Sequence, residues 1–177
     1  MTPAAFNKAA KRIKLLVFDV DGVLTDGGLY YGPEGEAFKR FNVKDGHGLV
    51  MARLTGLPAA VLTARTSSIV AVRGAELKLV AVLQGQKYKA PGLQALATSL
   101  NLTPSDCAYM GDDTNDLPPM ELCGLSACPA DAAAEVRALA DFVSKHDGGH
   151  GAARDFIERV LKAQGRWQQA LDAMRNA

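Results

Sequence analysis

The chain lacks any long hydrophobic run. Apolar stretches such as Leu15–Phe18 and Leu79–Leu83 are far shorter than the ~20 residues that a membrane-spanning helix needs. The N-terminal segment MTPAAFNKAAKRIK is basic but has no apolar core, so we expect no signal peptide. Net charge is also nearly absent, at a formal +1, and therefore gives no reason to expect nucleic acid or an anionic membrane as partner. An anionic ligand would need a local cluster of charges.

Cysteine is scarce as well. Cys107, Cys123 and Cys128 are odd in number, and none of them form the CxxC pair of a zinc site. The three histidines show no metal-ligand spacing either. These absences argue against a disulfide framework and a zinc centre, and favour reduced, structural thiols in a cytoplasmic protein.

What the sequence does contain is a regular alternation of short apolar runs with helical patterns. The runs predict buried strands over Leu15–Phe18, Ala59–Leu62, Leu79–Leu83, Cys107–Met110, Leu125–Ala127 and Phe142–Ser144. The intervening and final patterns predict helices over His47–Thr55, Ser67–Leu77, Ala90–Leu100, Leu117–Cys123, Asp131–Ala140 and Ala152–Ala163. This alternation indicates an α/β fold with a doubly wound, Rossmann-like parallel sheet.

One segment departs from the alternation. Residues 26–41 carry aromatic side chains on both sides of Gly32-Pro33-Glu34-Gly35, which predicts a β-hairpin. Gly165 is expected to stop the last long helix, with a short helix possible in the tail of about residues 165–177. Without a linker or repeat, residues 1–177 are expected to form a single domain.

The first predicted strand ends in Phe18-Asp19-Val20-Asp21-Gly22. Alternate residues of an extended segment face the same side, so Asp19 and Asp21 point together while Phe18 and Val20 turn to the core. Two carboxylates this close require a cation between them or a proton on one of them. The pattern therefore indicates a metal site or a nucleophile beside an acid, against the plainer alternative of a solvated turn.

A second acidic cluster, Gly111-Asp112-Asp113-Thr114-Asn115-Asp116, follows another strand. Such oxygen-rich clusters suit a hard divalent cation, although acids also cap helix N-termini. Ligands of doubly wound sheets gather outside the carboxyl ends of the strands. Since both acidic clusters are expected at that edge, the metal interpretation is favoured.

Two further residues lie at the same predicted edge. Thr63 follows the second strand and offers a hydroxyl for a phosphate oxygen, although a threonine here is commonly a cap. Lys89 begins a helix, where a positive charge is unfavourable unless an anion binds nearby. Alternatively, Lys89 is simply solvated.

Over about residues 15–116, the chain resembles the haloacid dehalogenase superfamily of phosphohydrolases. The resemblance lies in the order of four motifs, each after a successive strand: Asp-x-Asp, Thr, Lys and Asp-Asp. The resemblance implies that Asp19 attacks phosphorus and that Asp21 protonates the leaving group and then activates water. It also implies phosphoryl contacts from Thr63 and Lys89. Mg²⁺ is expected at the Asp19 carboxylate, the Asp21 carbonyl and the Asp112 carboxylate, with Asp113 and Asp116 as supporting residues.

The spacing leaves no room for the cap domain that many members carry. The chain resembles the capless phosphatases of 3-deoxy-D-manno-octulosonate 8-phosphate (KDO 8-phosphate), which are enzymes of lipopolysaccharide precursor synthesis. The motifs that carry this resemblance are FDVDGVLTDG, FNVKDGHG, QGQKYK, GDDTND and GGHGAAR. That resemblance implies a homotetramer with packed hairpins, a flexible C-terminal tail near an adjoining site, and contacts to sugar or phosphate from Asn42, Val43, Lys44, Asp45, Gly46, Arg65, Arg73 and Asn115.

Two positions depart from that pattern. Ala64 replaces a usual glycine after Thr63, and Val50 replaces an arginine that often reads the substrate carboxylate. Other roles stay open: Asn42–Gly46 could be a turn leading into a helix, Arg73 a surface cation, and Gly148–Gly151 either an anion cradle or a flexible loop.

Three alternative functions remain at this stage. A phosphatase for a nine-carbon substrate, 2-keto-3-deoxynonulosonate 9-phosphate, would use the same chemistry. A signalling module phosphorylated on aspartate would use similar residues, but its acid pair comes on an early strand and its phospho-acceptor on a middle one. A non-catalytic oligomeric domain would be expected to lack catalytic residues, and none is missing here.

Overall fold

The structure, a computed structural model, describes residues 1–175. Its strands are β1 (Leu15–Phe18), β2 (Tyr30–Gly32), β3 (Gly35–Phe38), β4 (Ala59–Leu62), β5 (Ala81–Leu83), β6 (Cys107–Met110), β7 (Leu125–Cys128) and β8 (Phe142–Val143). Its helices are α1 (Pro3–Ala10), α2 (Val43–Leu54), α3 (Ser68–Glu76), α4 (Lys89–Ser99), α5 (Leu117–Leu122), α6 (Ala134–Leu139), α7 (Ala152–Ala163) and α8 (Trp167–Arg175). None of the helices in residues 1–175 is long and apolar enough to cross a membrane.

Six strands form one parallel sheet in the order β5-β4-β1-β6-β7-β8. β1, β4, β6 and β7 are buried along their whole length, as expected for a sheet covered on both faces. Leu16 and Phe18 point into one apolar cluster, which also contains residues of α2 and α7. Leu15 and Val17 point into the other, with residues of α4 and α6. The predicted doubly wound α/β fold is confirmed.

The strand order places a topological switch point beside β1. From β1 the chain moves outward to β4 and β5, then returns to β6 on the opposite side. Counted by their order along the chain, the six strands run 3-2-1-4-5-6 across the sheet, and ligands of this arrangement bind where the direction reverses. Between β1 and β4 lie only the hairpin and α2, so this segment holds no cap domain.

The hairpin and most boundaries agree with the sequence patterns. β2 and β3 pair antiparallel across the predicted turn, with a bulge between Tyr30 and Tyr31. α2 begins at Val43, four residues before the predicted start at His47, because Asn42 caps its first turn by accepting from the Lys44 amide at 2.8 Å. α1 was not predicted, although Thr2 as cap followed by a proline is a recognised start signal.

Beyond Gly165 the chain forms the short helix that the sequence allowed in the tail. Gly165 has a φ of 70° and ends α7, but Trp167–Arg175 then form α8. Ala170 of this helix is fully buried, and Trp167 and Leu171 pack against the core. Residues 176 and 177 of the expected tail lie outside the described residues.

Candidate active site

The carboxyl ends of β1, β4 and β6 meet at the switch point. Phe18 is level with Val61 and Met110 in the sheet, and the Asp19 amide donates to the Met110 carbonyl at 2.9 Å. The residues that follow these strands therefore surround one open cleft of about 240 Å³. Its lining comprises Asp19, Asp21, Gly22, Gly27, Thr63, Ala64, Arg65, Asp112, Asp113 and Asn115.

Asp19 lies buried beneath the cleft. One carboxylate oxygen accepts from the Val20 amide at 2.7 Å, and the other accepts from Lys89 Nζ at 2.6 Å. Burial, together with the charge of Asp116, raises the pKa of Asp19 to about 6, although Lys89 opposes this shift. The carboxylate is thus held rigidly, with an ammonium group on one side and the cleft on the other.

Lys89 comes from the first turn of α4, and its side chain is completely buried. Its ammonium contacts Asp19 and Asp116, each at 2.6 Å. Burial alone would lower the pKa of Lys89, but these two carboxylates outweigh it and raise the pKa. Lys89 is therefore a permanent cation behind Asp19. The two carboxylates that it contacts explain why a lysine is tolerated at the beginning of this helix.

Asp116 uses both oxygens within the protein. One accepts from Lys89 and from the Tyr109 hydroxyl, at 2.6 and 2.7 Å, and the other accepts from the Asp112 amide at 3.0 Å. Tyr109 was not singled out from the sequence, although a hydroxyl in an otherwise apolar strand was the available signal. Burial and Asp116 raise the pKa of Tyr109 well above its usual range, so it remains a hydrogen-bond donor. Asp116 thus supports Lys89 and the loop after β6.

Asp112 has a buried carboxylate oxygen that lacks a hydrogen-bond partner. Its Oδ1 is buried and accepts no hydrogen bond from residues 1–175. A Cβ on Gly22, whose φ is +81°, would lie 2.1 Å from the other oxygen, Oδ2, so only glycine permits this approach. Burial, followed by the charges of Asp19 and Asp116, raises the pKa of Asp112 to about 8.

These carboxylates fit a divalent cation. Single oxygens of Asp19, Asp112 and Asp116 all lie within 4.8 Å of one another. When all three carboxyl groups are ionised, their charges against the one ammonium of Lys89 leave two negative charges in this group. Since Asp116 is already saturated, Asp19 and Asp112 are the carboxylates left to bind a cation, and the orphaned oxygen of Asp112 is the donor that lacks a partner.

Asp21 lies at the rim of the cleft, two residues beyond Asp19. One carboxylate oxygen is hydrogen bonded to Lys39, and the other lies 3.6 Å from Arg65 Nε. Lys39 in turn lies 3.1 Å from Glu36. The sequence patterns assigned no role to Lys39 or Glu36, because their proximity to Asp21 depends on how the hairpin folds back over the sheet.

The remaining candidates divide between two places. Thr63, Arg65 and Asn115 line the cleft with the aspartates, and Ala64, one of the departures, lies there too. Asp113 begins the short 3₁₀ turn before α5, where its side chain accepts from the Thr114 amide at 2.7 Å.

The Asn42–Gly46 motif lies elsewhere, as the cap and first turn of α2. Asn42, Asp45, Gly46 and Arg73 border a separate small cavity, while Lys44 lies in a basic pocket beside α7. Val43 is highly exposed. Among the residues described, none of these lines the cleft of the same chain.

Asp45 has a structural role that the sequence patterns missed. Its two oxygens accept from the amides of Gly151 and Arg154, at 3.1 and 2.8 Å. Gly151 is the N-cap of α7 and has no side chain, so Asp45 caps this helix from α2. Gly148 donates its amide to Asp131, at 2.9 Å. Amides of the Gly148–Gly151 loop are therefore already used within the protein.

The fold and the cleft define a doubly wound α/β protein with a carboxylate-rich site at its strand ends, and comparison with known proteins identifies it as a hydrolase. Residues 59–155 match the haloacid dehalogenase-like hydrolases, and the chain belongs to this family. It is 42% identical over 161 residues to the 3-deoxy-D-manno-octulosonate 8-phosphate phosphatase of Salmonella typhi, covering 91% of this chain and 86% of that protein.

Solved structures of phosphatases with the same name are also similar to this chain. The phosphatase of that name from Moraxella catarrhalis, in complex with magnesium, phosphate and KDO, has a TM-score of 0.92 and 36% identity, covering 96% of this chain and 97% of that chain. The cobalt-bound phosphatase from Haemophilus influenzae has a TM-score of 0.88 and 38% identity, covering 92% of this chain and 98% of that chain.

Proposed function

We propose that this protein is a Mg²⁺-dependent phosphomonoesterase that hydrolyses KDO 8-phosphate to KDO and phosphate through an aspartyl-phosphate. The observation that carries the proposal is Asp19, a carboxylate between the cleft and the buried cation of Lys89. A phosphate dianion approaches a carboxylate only where positive charge offsets their repulsion. The curated relatives with this name, at about two-fifths identity over most of both chains, support the substrate.

The residues around the cleft fit a two-step displacement. Asp19 attacks phosphorus while the bond from phosphorus to the sugar oxygen breaks, and Asp21 gives that oxygen a proton. Asp21 then takes a proton from water, which attacks phosphorus and releases phosphate from Asp19. Thr63 lines the cleft and offers its hydroxyl to a phosphoryl oxygen, and Lys89 keeps Asp19 oriented.

Mg²⁺ is the proposed cofactor. Asp19, Asp112 and the Asp21 carbonyl are the proposed ligands, supported by the unpartnered oxygen of Asp112 and the excess negative charge. When bound, the ion would offset the repulsion between the phosphate and the two carboxylates. The relatives crystallised with magnesium and with cobalt are consistent with this assignment.

The substrate-binding residues are proposed as two groups. Arg65 and Asn115 line the cleft and offer a cation and an amide to the phosphate and sugar. Asn42–Gly46 and Arg73 lie away from the cleft of their own chain, so a sugar contact from them requires a neighbouring subunit. A homotetramer built on packed hairpins would provide one, and the exposed Leu29, Tyr31 and Phe38 of the hairpin region support such packing.

Residues 1–177 are proposed to act as one catalytic domain in the cytoplasm, where the product would serve lipopolysaccharide precursor synthesis. Three buried or half-buried free thiols are consistent with a reducing compartment. The signalling module is disfavoured, because receiver domains of the CheY type order their strands 2-1-3-4-5 whereas this sheet reads 3-2-1-4-5-6.

A phosphate-release screen with added Mg²⁺ tests the proposal. KDO 8-phosphate, 2-keto-3-deoxynonulosonate 9-phosphate and simple sugar phosphates are compared at matched concentrations, with light scattering to give the oligomeric state. We expect the highest kcat/KM for the eight-carbon substrate. Preference for the nine-carbon substrate would favour the alternative phosphatase, and stable phosphorylation of Asp19 without phosphate release would favour a signalling role.

A further inference from the structure

Lys39 is a buried lysine next to the cleft that the proposed mechanism does not use. It follows β3 of the hairpin, and only 2% of its side chain is exposed. A buried ammonium is unfavourable unless it is paired, and Lys39 is paired twice. Its Nζ donates to one oxygen of Asp21 and lies 3.1 Å from Glu36 Oε1.

Glu36 ties Lys39 to the body of the domain. Its second oxygen accepts from the Ser67 hydroxyl, and Ser67 caps α3 by accepting from the Val70 amide. The Ser67 amide donates to Gln84 Oε1 at 2.6 Å, after the end of β5. A chain of polar contacts thus runs from Asp21 through the hairpin to α3 and the β5 edge of the sheet.

The two oxygens of Asp21 are held unequally. Lys39 contacts Oδ1, whereas Arg65 Nε lies 3.6 Å from Oδ2, beyond hydrogen-bonding distance. The Arg65 side chain is 41% exposed, and the Lys39 side chain is almost fully enclosed. Of these two cations, Lys39 is therefore the one whose own position is fixed by packing.

We propose that Lys39 is a positioning residue that aims the Asp21 carboxylate at the leaving oxygen and at the attacking water. The inference rests on the proposed function, in which Asp21 is the acid and base. It gives the hairpin a role within its own chain: Glu36 and Ser67 fix Lys39, and Lys39 fixes Asp21. Without the ammonium, the contact left to the Asp21 carboxylate among residues 1–175 is the longer one to the partly exposed Arg65.

The role predicts a kinetic signature that depends on the leaving group. With a sugar phosphate, Asp21 donates a proton as the phosphorus–oxygen bond breaks, and later accepts one from water. With p-nitrophenyl phosphate the phenolate leaves as a stable anion, so only the second step needs Asp21. If the Asp21 carboxylate is displaced, both steps should therefore be slower with the sugar phosphate. With the nitrophenyl ester, only breakdown of the aspartyl-phosphate should be slower.

The test compares Lys39→Met, which keeps the length of the side chain and removes its charge, with Lys39→Arg and the wild type. We expect Lys39→Met to lower kcat for KDO 8-phosphate at least about tenfold with KM changed less than about threefold, since positioned acid–base groups contribute ~10²–10⁴-fold. With p-nitrophenyl phosphate it should release a rapid burst of one nitrophenolate per site, followed by slow turnover. Lys39→Arg should restore most of kcat, and Lys8→Met, at an exposed lysine of α1, should behave as wild type.

Several outcomes would overturn the inference. Unchanged kcat in Lys39→Met, a rise in KM alone, or equal slowing of the first turnover for both substrates would each exclude a positioning role. If circular dichroism shows that Lys39→Met does not fold, Glu36→Gln is used instead. This variant weakens the ion pair that holds Lys39, and it must show the same burst and slow phase. Inactivity of the wild type on both substrates would instead refute the proposed function itself.

Discussion

The Nζ of Lys89 lies 2.6 Å from Oδ2 of Asp19, and neither side chain is more than 8% exposed. This contact joins the end of β1 to the beginning of α4, two elements separated by 70 residues in the chain. The same ammonium contacts Asp116, so one cation serves two buried carboxylates. Loss of that cation would leave both carboxylates buried without their charge partner.

Lys89→Met should therefore destabilise the fold. Removing one partner of a buried ion pair costs about 3–5 kcal/mol, because the remaining charge stays desolvated. Lys14→Met is the matched control, since Lys14 pairs with Asp106 at the surface and its side chain is 61% exposed; exposed pairs of this kind contribute little to stability. Urea unfolding monitored by circular dichroism measures both. Similar losses in the two variants would contradict the role of Lys89.

Asp19→Asn should abolish phosphate release while the fold persists. The amide cannot act as the nucleophile, so we expect turnover of p-nitrophenyl phosphate to fall by at least about 10³-fold. Lys89 retains Asp116 as a partner at 2.6 Å, which limits the structural cost. Steady-state kinetics and the circular dichroism spectrum test the two statements, and near-normal turnover would rule out Asp19 as nucleophile.

The stability of the protein without Mg²⁺ should fall as pH rises. The folded-state pKa values of Asp19, about 6, and Asp112, about 8, lie above their common starting value of 3.8. Between pH 3.8 and these folded-state values, the folded protein therefore binds more protons than the unfolded chain. The resulting contribution to stability is lost as pH rises through about 6 for Asp19 and through about 8 for Asp112. Thermal unfolding in EDTA across this range measures it.

Mg²⁺ should reverse that trend. The cation competes with protons for Asp19 and Asp112, so it should bind more tightly, and stabilise more, above pH 8 than near pH 6. Asp112→Asn is the control, because it removes one carboxylate and should flatten both the loss in EDTA and the gain with Mg²⁺. A Mg²⁺-induced rise in Tm that is independent of pH would count against this site.

The thiols should be unreactive in the folded protein. Burial raises the pKa values of Cys107 and Cys128 to about 11 and that of Cys123 to about 12. Few thiolates are then present at neutral pH, and the thiolate is the form that reacts. A chromogenic disulfide reagent should label none of the three within minutes, and all three after unfolding in guanidinium. Rapid labelling of the native protein would be inconsistent with this burial.

Much of the fold could be predicted because its signals are local. The strands Leu15–Phe18, Ala59–Leu62 and Cys107–Met110 coincide residue for residue with their apolar runs. α2 was predicted to start too late because Gly46 and Gly48 weaken its helical pattern, while the cap at Asn42 decided its start. The missed helix α1 had a cap and a proline as signals, but its packing against the sheet depended on distant residues.

The candidate site was predictable to the extent that parallel strands bring their carboxyl ends to one edge. That rule was sufficient to gather Asp19, Asp21, Thr63 and Asp112 around a cleft. It could not assign Asp45, which caps a helix more than a hundred residues away, nor could it separate the Asn42–Gly46 turn from the cleft.

By itself, the sequence determined the doubly wound sheet, the hairpin and the acidic edge, because apolar periodicity and strand-end chemistry act over a few neighbouring residues. Only the tertiary structure decided that Asp116 is occupied by Lys89, Tyr109 and the Asp112 amide, and that Lys39 reaches Asp21. It also decided that one oxygen of Asp112 has no hydrogen-bond partner within residues 1–175. These contacts join residues far apart in the chain, and their strength depends on burial, which arises only once the elements pack.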